Sequence, residues 1–356
     1  MPAGLGPQRA ACTRAYEAWL ALGRFIGAHL MVIVPVGVAV GVLFPQVLLT
    51  LKPLVPTFFA VMTFQNALSN DVRAMRHALR RPLLPLAALG MVHVVLPLVV
   101  FGVSAMVFGA DSPTVAGVVL EYSVPIGASA IMWISMFGGE LALGLATLLA
   151  STLISPFTIP LTLQLLVGTT VEVDALNMMG NMAYMVALPA LAATVLNEAS
   201  HGWCQRVAAP ATTPVSRLLL PLIVATNATG ISEPLHHLTP QLVGIMIMML
   251  AFAIGSFCVG MLVARRLSRA EGAAGAGGGH AVGAGGVGDK GVFVALSFCC
   301  GIRNVTAGAV LATQYFGPEV LFPAIIATPF QQVLAAAFGR IMEHSLARAD
   351  AAGSND

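Results

Sequence analysis

Lysines and arginines in this chain are confined to the ends of long apolar stretches and the gaps between them, with one exception, Arg303. That confinement limits the possible folds more than any motif does. Of 356 residues, 9% are charged and 58% hydrophobic, and the mean hydropathy is +0.88. A soluble domain carries about 25% charged residues. Water cannot solvate such a chain as a globule, so the sequence predicts an integral, all-α membrane protein with the lipid bilayer as its surroundings.

A membrane-spanning helix needs about 20 apolar residues at 1.5 Å rise each. By that ruler about ten candidates lie near 25–44, 54–69, 84–108, 113–137, 141–167, 176–197, 215–230, 241–264, 291–316 and 320–342. The second and seventh are short, and the seventh carries Pro221 and Asn227. The run from Phe25 to Phe44 is too long for a signal-peptide core and lacks a small-residue cleavage pattern, so it is expected to stay as a span.

Basic residues collect in cytoplasmic loops. Arg9, Arg14 and Arg24 precede the first span, and Arg73, Arg76, Arg80 and Arg81 follow the second. Arg206 and Arg217 follow the sixth, Arg265, Arg266, Arg269 and Lys290 the eighth, and Arg340 and Arg348 close the chain. The alternate loops hold Asp111, Glu172, Asp174, Glu233 and Glu319. Of the 17 lysines and arginines, only Lys52 and Arg303 fall off the basic side. The pattern predicts a multi-pass protein with both termini cytoplasmic, in a bacterial inner membrane. Its expected parts are a cytoplasmic segment 1–24, five spans in 25–171, five more in 172–346, and a tail 347–356.

The Gly/Ala tract from Ala270 to Gly288 lacks periodicity and reads as a cytoplasmic linker over 270–290. Its glycine spacing does not match a phosphate-binding turn. Cys12, Cys204, Cys258, Cys299 and Cys300 sit mostly in or beside apolar segments and read as small hydrophobes rather than disulfides or metal ligands. Met246, Met248 and Met249 read as lipid-facing or packing residues. No span carries a serine–histidine, paired-carboxylate or HExxH arrangement, so the chain is not expected to be an enzyme. No cofactor, resident metal or nucleic acid is expected either.

Two spans are interrupted. The fourth holds Val124-Pro125-Ile126-Gly127-Ala128-Ser129 at its middle, and the ninth holds Cys299-Cys300-Gly301-Ile302-Arg303-Asn304. Pro125 removes a backbone donor, and Gly127 and Gly301 loosen the helix around the breaks. Opened backbone at membrane depth must be satisfied by protein or water. Each break falls in the fourth of five spans when the chain is cut near residue 172, and five crossings invert the second half. Paired interruptions in inverted halves point to a secondary transporter's binding site. An arginine at bilayer depth costs at least ~2.5 kcal/mol, so Arg303 is expected to face a bundle interior and to have a function.

Three stretches resemble the bile acid:sodium symporter family. Ala60-Val61-Met62-Thr63-Phe64-Gln65-Asn66-Ala67-Leu68 is similar to its second helix. The run from Val124 through Gly139-Glu140-Leu141 to Ser155-Pro156-Phe157-Thr158-Ile159-Pro160 is similar to its fourth and fifth helices, and Gly301-Ile302-Arg303-Asn304 on to Tyr315-Phe316 to its ninth. The resemblance implies ten helices in two inverted five-helix repeats, with broken helices four and nine crossing. It also implies transport, with substrate-side roles for Asn304, Gln331 and Gln332.

The departures concern sodium. Where sodium-coupled members carry a glutamate and a glutamine, this chain has Cys299 and Arg303. Hydroxyl and amide ligands expected on the fourth and fifth helices fall on Ala130, Ile131, Gly144 and Leu148, and a glutamine of the third helix falls on Val92. A thiol and a guanidinium would repel a cation, so loss of both sodium sites is expected. Arg303 could then act as a fixed positive charge reaching carbonyls near Pro125 and the Ser129 hydroxyl. Alternatively it binds an organic anion directly, or simply pairs with Glu121. Gln65 and Asn66 are candidate cavity lining. His93, with its ordinary pKa near 6.5, and Glu121 are candidates for proton coupling. The expected function is alternating-access transport of a small organic anion, with a membrane receptor that kept the fold as the alternative.

Overall fold

A computed structural model describes residues 6–68, 82–168, 171, 174–231, 239–275 and 290–353. Arg73, Arg76, Arg80, Arg81, Glu172, Glu233 and most of the Gly/Ala linker lie outside the described residues. The rest is helical, and among the described residues the only strand-like pairing is one isolated antiparallel bridge.

Apart from the short helical turns Pro45–Leu49 and Lys52–Leu54, the helices in chain order are α1 (Gly6–Ala28), α2 (Leu30–Leu43), α3 (Val55–Leu68), α4 (Leu83–Phe108), α5 (Pro113–Ser123), α6 (Ser129–Met136) and α7 (Leu141–Val167). They continue with α8 (Ala175–Ala199), α9 (Cys204–Ile231), α10 (Pro240–Gly275), α11 (Lys290–Gly301), α12 (Val305–Tyr315) and α13 (Pro318–Gly353). Six of these, α4, α7, α8, α9, α10 and α13, are long and apolar enough to cross a membrane unaided. Helices α2 and α3 have 14 residues each, and α5, α6, α11 and α12 are pieces of 8 to 12. The outer faces expose large apolar side chains, among them Met106 (89%), Leu176 (82%) and Leu165 (73%). Such a surface is stable only against lipid. The protein is a multi-pass membrane protein.

The first span begins later than the apolar run suggests. Residues Phe25 to Ala28 belong to α1, and the chain bends by 83° before Val32–Leu43. Contacts with α9 hold α1 in place. The Trp19 indole donates to the Ala211 carbonyl at 2.9 Å, and Arg217 Nη1 donates to the Gly23 carbonyl at 2.7 Å. The seventh span, expected to be short, is one helix from Cys204 to Ile231.

Three helices contain a π-turn: Met91–Val95, Ala183–Ala187 and Cys204–Ala208. In each, the second residue after the turn is a proline: Pro97, Pro189 or Pro210. A proline has no N–H for the carbonyl four residues back, and widening the turn by one residue absorbs the defect without breaking the helix.

The core divides into clusters. One gathers α5, α12 and α13 with parts of α3, α7 and α8, and includes Met249 with Met246 and Met248 packed against it. A second surrounds α11 and α6. The methionines are therefore packing residues. Cys204, Cys299 and Cys300 are free and buried, whereas Cys258 is exposed.

Candidate functional site

The two interruptions meet. Val124, held extended at φ −65° and ψ 155° by the proline that follows it, ends α5. Ile302 to Asn304 form the corresponding gap between α11 and α12. Ile126 and Arg303 pair as an antiparallel bridge. Gly127 N–H donates to the Ile302 carbonyl at 3.1 Å, and Asn304 N–H donates to the Pro125 carbonyl at 2.8 Å. Each break thus satisfies backbone groups that the other leaves open, as burial away from water requires. Glycine is needed at 127 because a Cβ there would come within 2.6 Å of the Arg303 carbonyl oxygen. Gly301 lies against the Phe257 ring.

Side chains complete the crossing. Gln331 of α13 clamps Arg303 through its backbone: Oε1 accepts from Arg303 N–H at 2.8 Å, and Nε2 donates to the Arg303 carbonyl at 2.9 Å. Gln332 accepts from the Trp133 indole at 3.0 Å and donates to Ser129 Oγ at 3.3 Å. Both glutamines face inward. Asn304 caps α12, its Oδ1 accepting from Ala307 N–H at 3.3 Å. Ser151, which sequence reading passed over, accepts from Ile126 N–H at 3.0 Å. His93 lies 2.8 Å from Ser151 through Nε2 and 3.0 Å from Thr158 Oγ1 through Nδ1, so both ring nitrogens are engaged. A serine within a span has no distinguishing sequence signal, which is why its part in the crossing was missed.

The guanidinium of Arg303 is buried at the crossing, with 3% of the residue exposed. The expected contacts with the Pro125 carbonyl and the Ser129 hydroxyl do not form, since Asn304 and Gln332 occupy those groups. Instead Nη2 donates to the Cys300 carbonyl at 3.1 Å, at the C-terminal end of α11. Its Nε and Nη1 have no hydrogen-bond partner, and neither has Oε2 of Glu121, which is 1% exposed. Glu121, Tyr122 and His93 lie within electrostatic range of Arg303. The simple Arg303–Glu121 pairing is therefore not closed by hydrogen bonds at these atoms. Oε2 of Glu121 lies against Gly308 of α12.

The positions aligned with sodium ligands offer a cation little. Val92, Ala130, Leu148 and Cys299 share one hydrophobic cluster with Ile126, Phe298 and Ile302, and Ile131 packs on its edge. Gly144 faces the methyl groups of Ile134 and Ile131. The neighbouring hydroxyls are already used, Thr147 on the Leu143 carbonyl and Ser151 as described. These residues do not fit a sodium ion, which needs several oxygen ligands.

Three other polar residues lie apart from the crossing's hydrogen bonds. Gln65, expected to line the cavity, is buried between α3 and α9: it donates to Thr213 Oγ1 at 2.9 Å and accepts from Ser216 Oγ at 2.8 Å. Asn66 is half-buried on the same helix. Asn227 on α9 is fully buried, and neither amide atom has a partner.

Broken helices that pair inside a lipid-facing bundle are the arrangement found at a secondary transporter's binding site. The chain belongs to the sodium bile acid symporter family, whose sequence model matches residues 56–238. It is also 31% identical over 308 residues to the uncharacterized protein YbaS of Bacillus subtilis strain 168, covering 86% of this chain and 94% of that one.

Proposed function

We propose that this protein moves a small organic anion across a bacterial inner membrane by alternating access, without the two sodium ions that its family's name suggests. In this reading ten crossings form two inverted five-helix repeats, with both termini cytoplasmic and α5–α6 and α11–α12 as the broken fourth and ninth crossings. The buried guanidinium at the paired breaks is the observation that carries the proposal.

The electrostatics support it. Helices α5 and α11 both end at the crossing, so their negative dipole ends and the Glu121 carboxyl converge there. That environment favours a cation. Relatives supply sodium; here Arg303 supplies a fixed charge that cannot leave. Helices α6 and α12 begin at the same place, and their positive ends suit an anion. The two unpartnered nitrogens of Arg303 add donors for a carboxylate or sulfonate. Proton coupling, if present, would run through Glu121 rather than His93, whose ring is already bonded on both sides.

A thermal-shift screen of purified protein against carboxylates, bile salts and sulfonates identifies the cargo, and uptake into proteoliposomes tests transport. Uptake should be equal in sodium and potassium buffers and abolished by Arg303→Ala. Flux that needs a sodium gradient and survives Arg303→Gln would overturn the proposal. Binding without flux would identify a receptor instead.

A further inference from the structure

We infer that a second anion site lies on the far side of the bundle from the basic loops, built around Lys52. A cavity of about 640 Å³ is lined there by Lys52, Asn177, Asn181, Tyr184, Gln314 and Tyr315, among others. Lys52 is exposed, and apart from the buried Arg303 it is the one lysine or arginine that the sequence puts on that side. The cavity is separate from the crossing: α12 starts beside Arg303 and reaches the cavity at Tyr315, about 16 Å further along its axis.

The hydrogen bonds around the cavity leave several donors unused. One amide hydrogen of Asn181 goes to Asn177 Oδ1 at 3.1 Å and the other to Tyr315 Oη at 2.5 Å. Tyr315 thus accepts, and its own hydroxyl hydrogen is left to give. Asn177 likewise accepts through Oδ1 and keeps its amide hydrogens. With the Lys52 ammonium and the Gln314 amide these form a donor set for a carboxylate or sulfonate. The acidic neighbour, Asp174, is engaged as the cap of α8, accepting from Asn177 N–H at 3.0 Å. The site would hold an anion before it moves inward along α12 to Arg303. It rests on the transporter reading for that direction of travel alone.

Labelling chemistry tests the site without any transport. A thiol introduced by Gln314→Cys is exposed to methanethiosulfonate reagents of opposite charge, the ethylsulfonate and the ethyltrimethylammonium, and its modification is followed by peptide mass. Relative to free cysteine, the anionic reagent should react about fivefold faster and the cationic one about fivefold slower, the effect of one unit charge at contact range in water. Lys52→Gln should remove that preference. Propionate or methanesulfonate should slow the labelling when Lys52 is present and not when it is replaced. A cationic preference, a preference that survives Lys52→Gln, or labelling insensitive to both anions would overturn the inference. Because no flux is measured, these outcomes are independent of whether the protein transports.

Discussion

The two breaks that meet at the crossing are made by different means. The first is covalent in origin: Pro125 forces Val124 out of the helix, and Gly127 supplies the space for a second backbone. The second contains no proline, and its gap at Ile302–Asn304 is held open by what grips it. Gln331 binds both backbone groups of Arg303, and the guanidinium closes the end of α11. One break is written into the chain, whereas the other depends on partners. The partner-dependent break also carries the guanidinium, so the proposed functional element is the one whose geometry can be altered by what binds nearby.

If that contrast is right, the second break should be the more fragile. The largest effect is expected for Arg303→Ala, which leaves Glu121 buried without its neighbouring cation. Losing the cation beside a buried carboxyl, together with its bond to the Cys300 carbonyl, should cost at most about 3–5 kcal/mol, the cost of a broken buried charge pair, read as a lowered unfolding midpoint in detergent together with lost uptake. Adding Glu121→Gln to that variant should recover part of the stability, because the carboxyl is gone. Gln331→Ala comes next. It strands one N–H and one carbonyl, for about 2–3 kcal/mol in all, and should cost clearly more than Gln332→Ala, whose partners are side chains.

The first break should respond less, and sterically. Gly127→Ala drives a methyl group toward the Arg303 carbonyl and should destabilise by roughly 1–3 kcal/mol. Gly102→Ala, where nothing lies within 4 Å, is its neutral control. Ser151→Ala leaves Ile126 N–H unmet and His93 without one partner, for about 1–2 kcal/mol by the same midpoint measurement. If Ser151→Ala costs more than Gln331→Ala, the assignment of the weaker break is reversed.

Much of this could be read from the chain before any coordinates. Pro125, Gly127 and Gly301 announce their breaks through backbone chemistry, and Arg303 stands out because charge in a span is expensive. What could not be read depends on residues far apart in sequence. Ser151 looks like any small span residue until Ile126 N–H is found against it, and Gln331 offers no hint that it holds backbone rather than cargo. Gln65 shows the reverse: a polar residue in a span invites a binding role, yet its amide is consumed by Thr213 and Ser216. The bend at His29 was hidden because apolar composition continues across it, and the contacts with α9 that hold α1 lie almost 200 positions away.

The claim that an arginine has taken over the work of sodium is tested most directly by the thermal stability of purified protein titrated with sodium chloride against choline chloride. The account predicts superimposable curves for the natural chain, since Val92, Ala130, Leu148 and Cys299 present an apolar cluster where oxygen ligands would be required. A saturable stabilisation specific to sodium, retained in Arg303→Gln, would contradict it.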